Sequence, residues 1–265
     1  MIESFVNIKE IHKKPYYMFI WAVILGSISV FISNTISYQI EGPVSINLSG
    51  FFTILFIVFP SAYFITRLIH HEEVIEENYI EKHSKKSMWK RHEKYLLAFL
   101  FFFLGLTITF AFWSSVLPSD FFQMQVLKIN QIQGKATDVN ASFNSFGNIF
   151  MNNIQVMLFS FIFSFIFGAG AVFIIVWNAS ILGVYVGMIS KSIWEIPLVS
   201  MSFLPHGIPE ISAYLCAGLA GSLISVAIIR RNKMEVVKGV ALDALKLFGL
   251  AILLIFIAAV IEVYL

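Results

Sequence analysis

The chain has 265 residues, 58% of them hydrophobic and 13% charged, against the roughly 25% charged residues of a soluble domain. That balance excludes an ordinary soluble globular protein, and a net charge of +2 is too small to suggest nucleic acid as a partner. The single cysteine, Cys216, excludes an intrachain disulfide and a cysteine-based metal site. The chain reads as all-α, a polytopic helical membrane protein of about seven transmembrane helices embedded in a lipid bilayer.

Residues 1–15 carry Lys9, His12, Lys13 and Lys14, and an apolar run covers 16–32. Basic residues before an apolar run also describe a signal peptide. This run is long for one and no small-x-small cleavage site follows, so it reads as a retained first span. Residues 33–49 are polar and lack Lys and Arg, and a second span covers 50–68. Both runs fit the roughly 20 residues that cross a hydrocarbon core of about 30 Å. Residues 1–69 thus form an N-terminal two-span hairpin. Residues 70–94 form a charged cytoplasmic linker, acidic from Glu72 to Glu81 and basic from Lys82 to Lys94. Span 2 is expected to continue into it as a helix, with a break near Ser84 and Glu81 and Lys85 four apart. The bland reading is a solvated helical hairpin; the sharper one is a docking surface for a protein partner.

Residues 95–265 hold five further spans. The third covers 95–117 and ends at Pro118. The external segment 118–148 is polar and nearly uncharged. Ser119-Asp120 has the character of a helix start. Phe122, Val126 and Ile129 follow at helical spacing, so a short interfacial helix is expected there, a second candidate partner surface. Residues 149–190 are apolar and too long for one span, and Gly168 and Gly170 mark a tight turn between spans over 149–167 and 171–189. Residues 191–207 form an interfacial or partly re-entrant link. Span 6 covers 208–229 and span 7 covers 247–265. The basic groups at 9–14, 82–94 and 230–246 fall on one side only with seven spans. The positive-inside rule then predicts a cytoplasmic N-terminus and an external C-terminus, in the cell membrane.

Polar residues within the spans are the candidate functional residues. Asn153, Ser160, Ser164 and Gly168 share a face of span 4; Asn178 and Tyr185 share one on span 5, which also holds Gly183-x-x-x-Gly187. Span 6 carries a stripe of Glu210, Ala213, Ala217, Gly221 and Ser225, with Gly218 beside it. Small residues four apart let helices approach closely, so spans 4, 5 and 6 are expected to pack together with their polar faces converging. Leu204-Pro205-His206-Gly207-Ile208-Pro209-Glu210 opens span 6. If the helix starts at His206, Pro209 falls in the first turn, where a missing N–H is tolerated. His206 and Glu210 then share a face. They are either a capped helix end or an ionisable pair at the mouth of a polar cleft, and the residues alone leave both open.

Pro205-His206-Gly207-x-x-Glu210 followed by Ala217, Gly218 and Gly221 resembles the stage II sporulation protein M family of integral membrane proteins. Phe150, Asn152-Asn153, Gly168, Asn178, Gly183 and the terminal Ala258-Ala259-x-Ile261-Glu262 match as well, over about residues 90–265. The family has Asn-Gly where this chain has Asn178-Ala179. The resemblance implies a non-enzymatic membrane component: the namesake belongs to a septal complex with peptidoglycan hydrolases during engulfment. It identifies no substrate and no cofactor. It also draws Glu262, at the end of span 7, towards the level of His206 and Glu210.

Three functional readings follow. The first is a scaffold or partner-binding subunit of an envelope or membrane-remodelling complex, using 70–94 and 118–148; a homo-oligomer is compatible with it. The second is a transporter or channel for a small solute, ion or lipid, gated or coupled at His206 and Glu210. The third, an intramembrane hydrolase, has little behind it. His-Glu-x-x-His is absent, so a metal would need His206, Glu210 and Glu262 to converge.

Overall fold

The structure, a computed structural model, describes residues 14–36, 39–40, 46–81, 88–136, 142–168, 170–229 and 234–264. Among these, nine α-helices follow in order: α1 (Tyr17–Ile36), α2 (Ser49–Glu81), α3 (Met88–Val116), α4 (Gln123–Ala136), α5 (Ser142–Phe167), α6 (Ala171–Ile189), α7 (Ile196–Ser202), α8 (Leu204–Ile229) and α9 (Met234–Tyr264). All except α4 and α7 contain a segment long and apolar enough to cross a membrane. The chain is a multi-pass helical membrane protein. The only strands among the described residues form a two-residue antiparallel pair, β1 (Gln39–Ile40) with β2 (Ile46–Asn47).

The ends of the helices follow local chemistry. Gly168 has φ +70°, a left-handed conformation that glycine adopts without steric cost. It lets α5 stop at Phe167 and α6 start at Ala171, as the glycine pair predicts. The helix of span 2 runs on to Glu81, roughly 20 Å past Arg67 at 1.5 Å per residue; the expected break near Ser84 lies outside the described residues. Two starts differ from expectation. Helix α8 begins at Leu204, so Pro209 lies inside the helix rather than in its first turn, and the carbonyl of Pro205 loses its usual donor. Helix α9 begins at Met234, so Lys238, Asp243 and Lys246 ride on a helix. There Lys246 Nζ donates to Asp243 Oδ1 over 2.6 Å, which makes both charges cheaper to carry near the apolar part of the span.

Helix α8 is the hub. Buried residues make up 78% of its span, against 22% for α5 and 33% for α9, which flank it. A second group forms around α3, with α1 and α6 against it, while α2 touches α1, α6, α8 and α9. The expected convergence of spans 4, 5 and 6 is therefore half right. Spans 4 and 6 pack closely, but the Gly183-x-x-x-Gly187 face of span 5 lies on α3. A Cβ at Gly183 would come within 2.5 Å of the Thr107 carbonyl, and one at Gly187 would collide with Ser114 Oγ. Small residues announce a close approach but do not name the neighbour.

Helices α5 and α8 run parallel and are joined by hydroxyl groups. Ser160 Oγ donates to the Tyr214 carbonyl over 2.8 Å, and Ser222 Oγ lies 2.5 Å from the Gly168 carbonyl, each pair 54 residues apart. Between them, Ser164 Oγ accepts the Ala171 N–H at 2.9 Å and approaches Gly218. In hydrocarbon such groups find no water, so each must be satisfied within the protein. Ala217 is fully buried in this core, and Gly221 lies against the Phe161 carbonyl with no room for a Cβ. The opposite sides of α5 and α9 present Phe159, Ile162, Ile166, Leu253 and Phe256 outward, as lipid-facing surfaces do.

At the membrane face where α8 starts, α4 closes over the bundle. Phe121, Phe122 and Ile129 are buried and Val126 packs beside them, which accounts for their helical spacing. Gln123 Oε1 accepts the Asn47 N–H at 2.6 Å, and Gln125 Nε2 donates to the Gly50 carbonyl at 3.1 Å. The α4 segment is thereby tied to the start of α2.

Replacing Gly221 by Val should force α5 and α8 apart and cost about 1–3 kcal/mol, the usual range for overpacking. Gly249→Ala, where a Cβ meets nothing within 4 Å, should leave stability unchanged or slightly raised. Unfolding midpoints of the two variants in one detergent check this.

Candidate functional site

The first three turns of α8 build the site. Phe203 precedes the helix, and its carbonyl accepts the Gly207 N–H at 2.8 Å. From there His206, Glu210 and Tyr214 recur at four-residue intervals and so lie on one face. Tyr214 is the largest fully buried side chain among the described residues. Its phenol O–H donates to Glu210 Oε1 over 2.6 Å, a short bond of the charge-assisted kind when the carboxylate is ionised. The imidazole of His206 meets the Phe203 ring edge-on, centroids 6.0 Å apart, and Phe203 in turn meets Tyr185 of α6 at 5.7 Å. This aromatic stack fixes how the His206 ring sits against the bundle.

Glu262 reaches the same place from the far end of α9. It lies within Coulombic range of both His206 and Glu210. Two carboxylates and one imidazole thus lie within electrostatic reach of one another where α8 starts and α9 ends. His206 and Glu210 are half-buried and Glu262 is exposed at the helix end. With two carboxylates to one imidazole, the group is acidic. Such a cluster can hold a proton or attract a cationic group. Among the described residues no three His, Cys, Asp or Glu side chains are arranged to hold a metal ion.

The polar residues lower in the spans divide. Asn153 is buried on α5, and the 54-residue offset of the α5–α8 contact puts it level with Gly207. Its Oδ1 accepts a bond from Asn152 Nδ2 at 3.2 Å. Asn178 is not brought to the cluster: its Nδ2 donates to the Ile174 carbonyl of its own helix at 2.7 Å. Of the motif glycines, Gly207 faces open space, whereas Gly170 and Gly218 are packed against Phe163 and against Ala171 with Ser160. Pro205 and Pro209 shape the helix start without contributing a polar atom. Gly168 belongs to the opposite membrane face, at the α5–α6 turn.

An apolar crevice of about 30 Å³ lies between α3, α6, α7 and α8. Gly207, Ile208 and Ile211 form part of its wall with Phe103, Leu182 and Phe203, but neither His206 nor Glu210 lines it. Sequence reasoning overlooked Tyr214. The only signal for it was a tyrosine one turn after Glu210 in an otherwise apolar run, where its hydroxyl must find a partner.

Comparison with known proteins places the cluster within a known family. The family model for stage II sporulation protein M matches residues 98–265, which span α3 to α9 and hold every residue of the cluster. An uncharacterized protein of Methanocaldococcus jannaschii is 35% identical over 129 residues, covering 47% of this chain and 72% of the relative. No solved structure matches significantly.

The Tyr214–Glu210 bond should show in a double-mutant cycle. Tyr214→Phe should destabilise the protein by about 1.5–3 kcal/mol, as loss of a hydrogen bond to a charged group does. In a Glu210→Leu background the same change should cost distinctly less, and unfolding in detergent measures the difference.

Proposed function

This chain belongs to the stage II sporulation protein M family, and from that premise we propose that it is a non-enzymatic membrane scaffold, a partner-binding subunit of an envelope or membrane-remodelling complex. The observation that carries this reading is the fate of the polar face between α5 and α8. Ser160, Ser164 and Ser222 spend their hydroxyls on Tyr214, Ala171 and Gly168. Groups so engaged fix helices in place; a conduction path needs polar atoms free to exchange partners with a solute. The helix of α2 carried past the membrane to Glu81, and α4 on the other face, provide two places for partners to dock. In this reading the N-terminus is cytoplasmic, the 70–94 linker meets partners inside the cell, and α4 meets them outside.

A second reading draws on the acidic cluster. His206, Glu210 and Glu262 could couple a transported solute to protons or bind a cation. The readings separate in reconstituted vesicles. For a scaffold, the purified protein drives no proton or cation flux, and replacing 70–94 by an unrelated helical linker removes a co-purifying partner while the protein still inserts. Flux through the wild type that His206→Ala abolishes would replace the scaffold by a transporter.

A further inference from the structure

The short segment between α6 and α8 carries an apolar face that nothing in the bundle covers. Its inner side is accounted for: Ile196 is buried against Ala111 and Val186, with Val199 and Phe203 packed beside it. Ile196, Val199 and Phe203 follow a helical repeat. On the opposite side, at the same kind of spacing, stand Trp194, Leu198 and Met201, exposed to 91%, 72% and 62%. A helix apolar on both sides does not belong in water. Its hydroxyls agree: Ser200 Oγ donates to the Ile196 carbonyl and Ser202 Oγ to the Val199 carbonyl, each at 2.7 Å. Both bond within the segment and ask nothing of solvent. The Lys191 N–H is likewise held by Glu195 Oε2 at 3.0 Å, just ahead of the helix.

The outer face is continuous with surface that already faces lipid. Met188 and Ile189, at the end of α6, and Ile208, in the second turn of α8, are exposed on spanning helices at either end of the segment. The segment therefore sits at the boundary where two spans emerge, the depth at which tryptophan is enriched. We propose that residues 193–202 lie in the boundary between lipid headgroups and acyl chains, with Trp194, Leu198 and Met201 inserted into the bilayer as an anchor. Through Phe203, which touches both Tyr185 and His206, this anchor holds the His206–Glu210 turn at a fixed depth at the membrane surface.

Depth-dependent quenching tests it. The full-length protein and its Trp194→Phe variant are reconstituted into phosphatidylcholine nanodiscs whose acyl chains are brominated near the headgroup or near the chain end. The difference between the two emission spectra isolates Trp194. The expected result is strong quenching by the shallow bromines, weaker quenching by the deep ones, and little by aqueous iodide. Quenching by iodide and not by bromolipid would put the segment in water and overturn the proposal. Protection from both would mean that protein, such as a second copy, covers the face, and would overturn it too. A nitroxide at Leu198→Cys gives an independent depth from its accessibility to oxygen and to a water-soluble nickel chelate, and readings typical of bulk water would likewise refute the anchor.

Discussion

Hydrocarbon offers a hydroxyl or an amide no partner, and the contact between α5 and α8 is arranged around that fact. Each serine in it meets a backbone group of the other helix or of the adjoining turn: Ser160 the Tyr214 carbonyl, Ser164 the Ala171 N–H, Ser222 the Gly168 carbonyl. Individual bonds of this type average only about 0.6 kcal/mol in membranes, so their effect lies less in strength than in register. A shift of α8 by one residue would leave the Ser160 and Ser222 bonds unmade together. The glycines at 218 and 221 bring the backbones close enough for short serine side chains to reach.

With α8 set in this way, its first turns have one place to be. The same register that joins Ser160 to Tyr214 lifts Glu210 and His206 to the membrane face where α9 ends, within Coulombic range of Glu262. Tyr214 belongs to both systems. Its carbonyl accepts from Ser160, while its hydroxyl donates to Glu210. It therefore connects the packing contact to the acidic cluster, and a change at either is felt at the other. The segment before α8 adds a second constraint through Phe203, whose ring sits between Tyr185 and His206.

Much of this was legible in the residue order, because length and hydropathy decide what a bilayer accepts. The span over 171–189 has the same limits in sequence and structure, since glycines open it and Lys191 follows it. The two misplaced starts have specific causes. Leu204 and Pro205 read as linker because proline suggests a break, yet proline is welcome at the beginning of a helix. Residues 234–246 read as a loop because Lys238, Asp243 and Lys246 are charged, yet Asp243 and Lys246 pair on one helix face. The family motif pointed to His206, Glu210 and Glu262 as residues at one depth, and in the structure Glu262 lies within Coulombic range of the other two. Partner choice was not legible: Gly183 and Gly187 promise a close neighbour in the same language as Gly218 and Gly221, and only tertiary packing distinguishes α3 from α5. Asn178 looked functional by its type, and its Nδ2 donates to the Ile174 carbonyl of its own helix.

The 54-residue separation across the α5–α8 contact also has a consequence for biogenesis. Chains are made from the N-terminus at about 5–20 residues per second, so α5 is complete roughly 3–11 s before the matching turns of α8 exist. During that interval Ser160 lacks its final partner, and the open side of α5 is held only by lipid and by what has already emerged. Serine tolerates the wait because its hydroxyl can bond to a carbonyl one turn back in its own helix; an asparagine or a carboxylate at this position would be far costlier to leave in hydrocarbon. The choice of serine for this contact thus suits the order in which the chain enters the membrane as well as the fold it reaches.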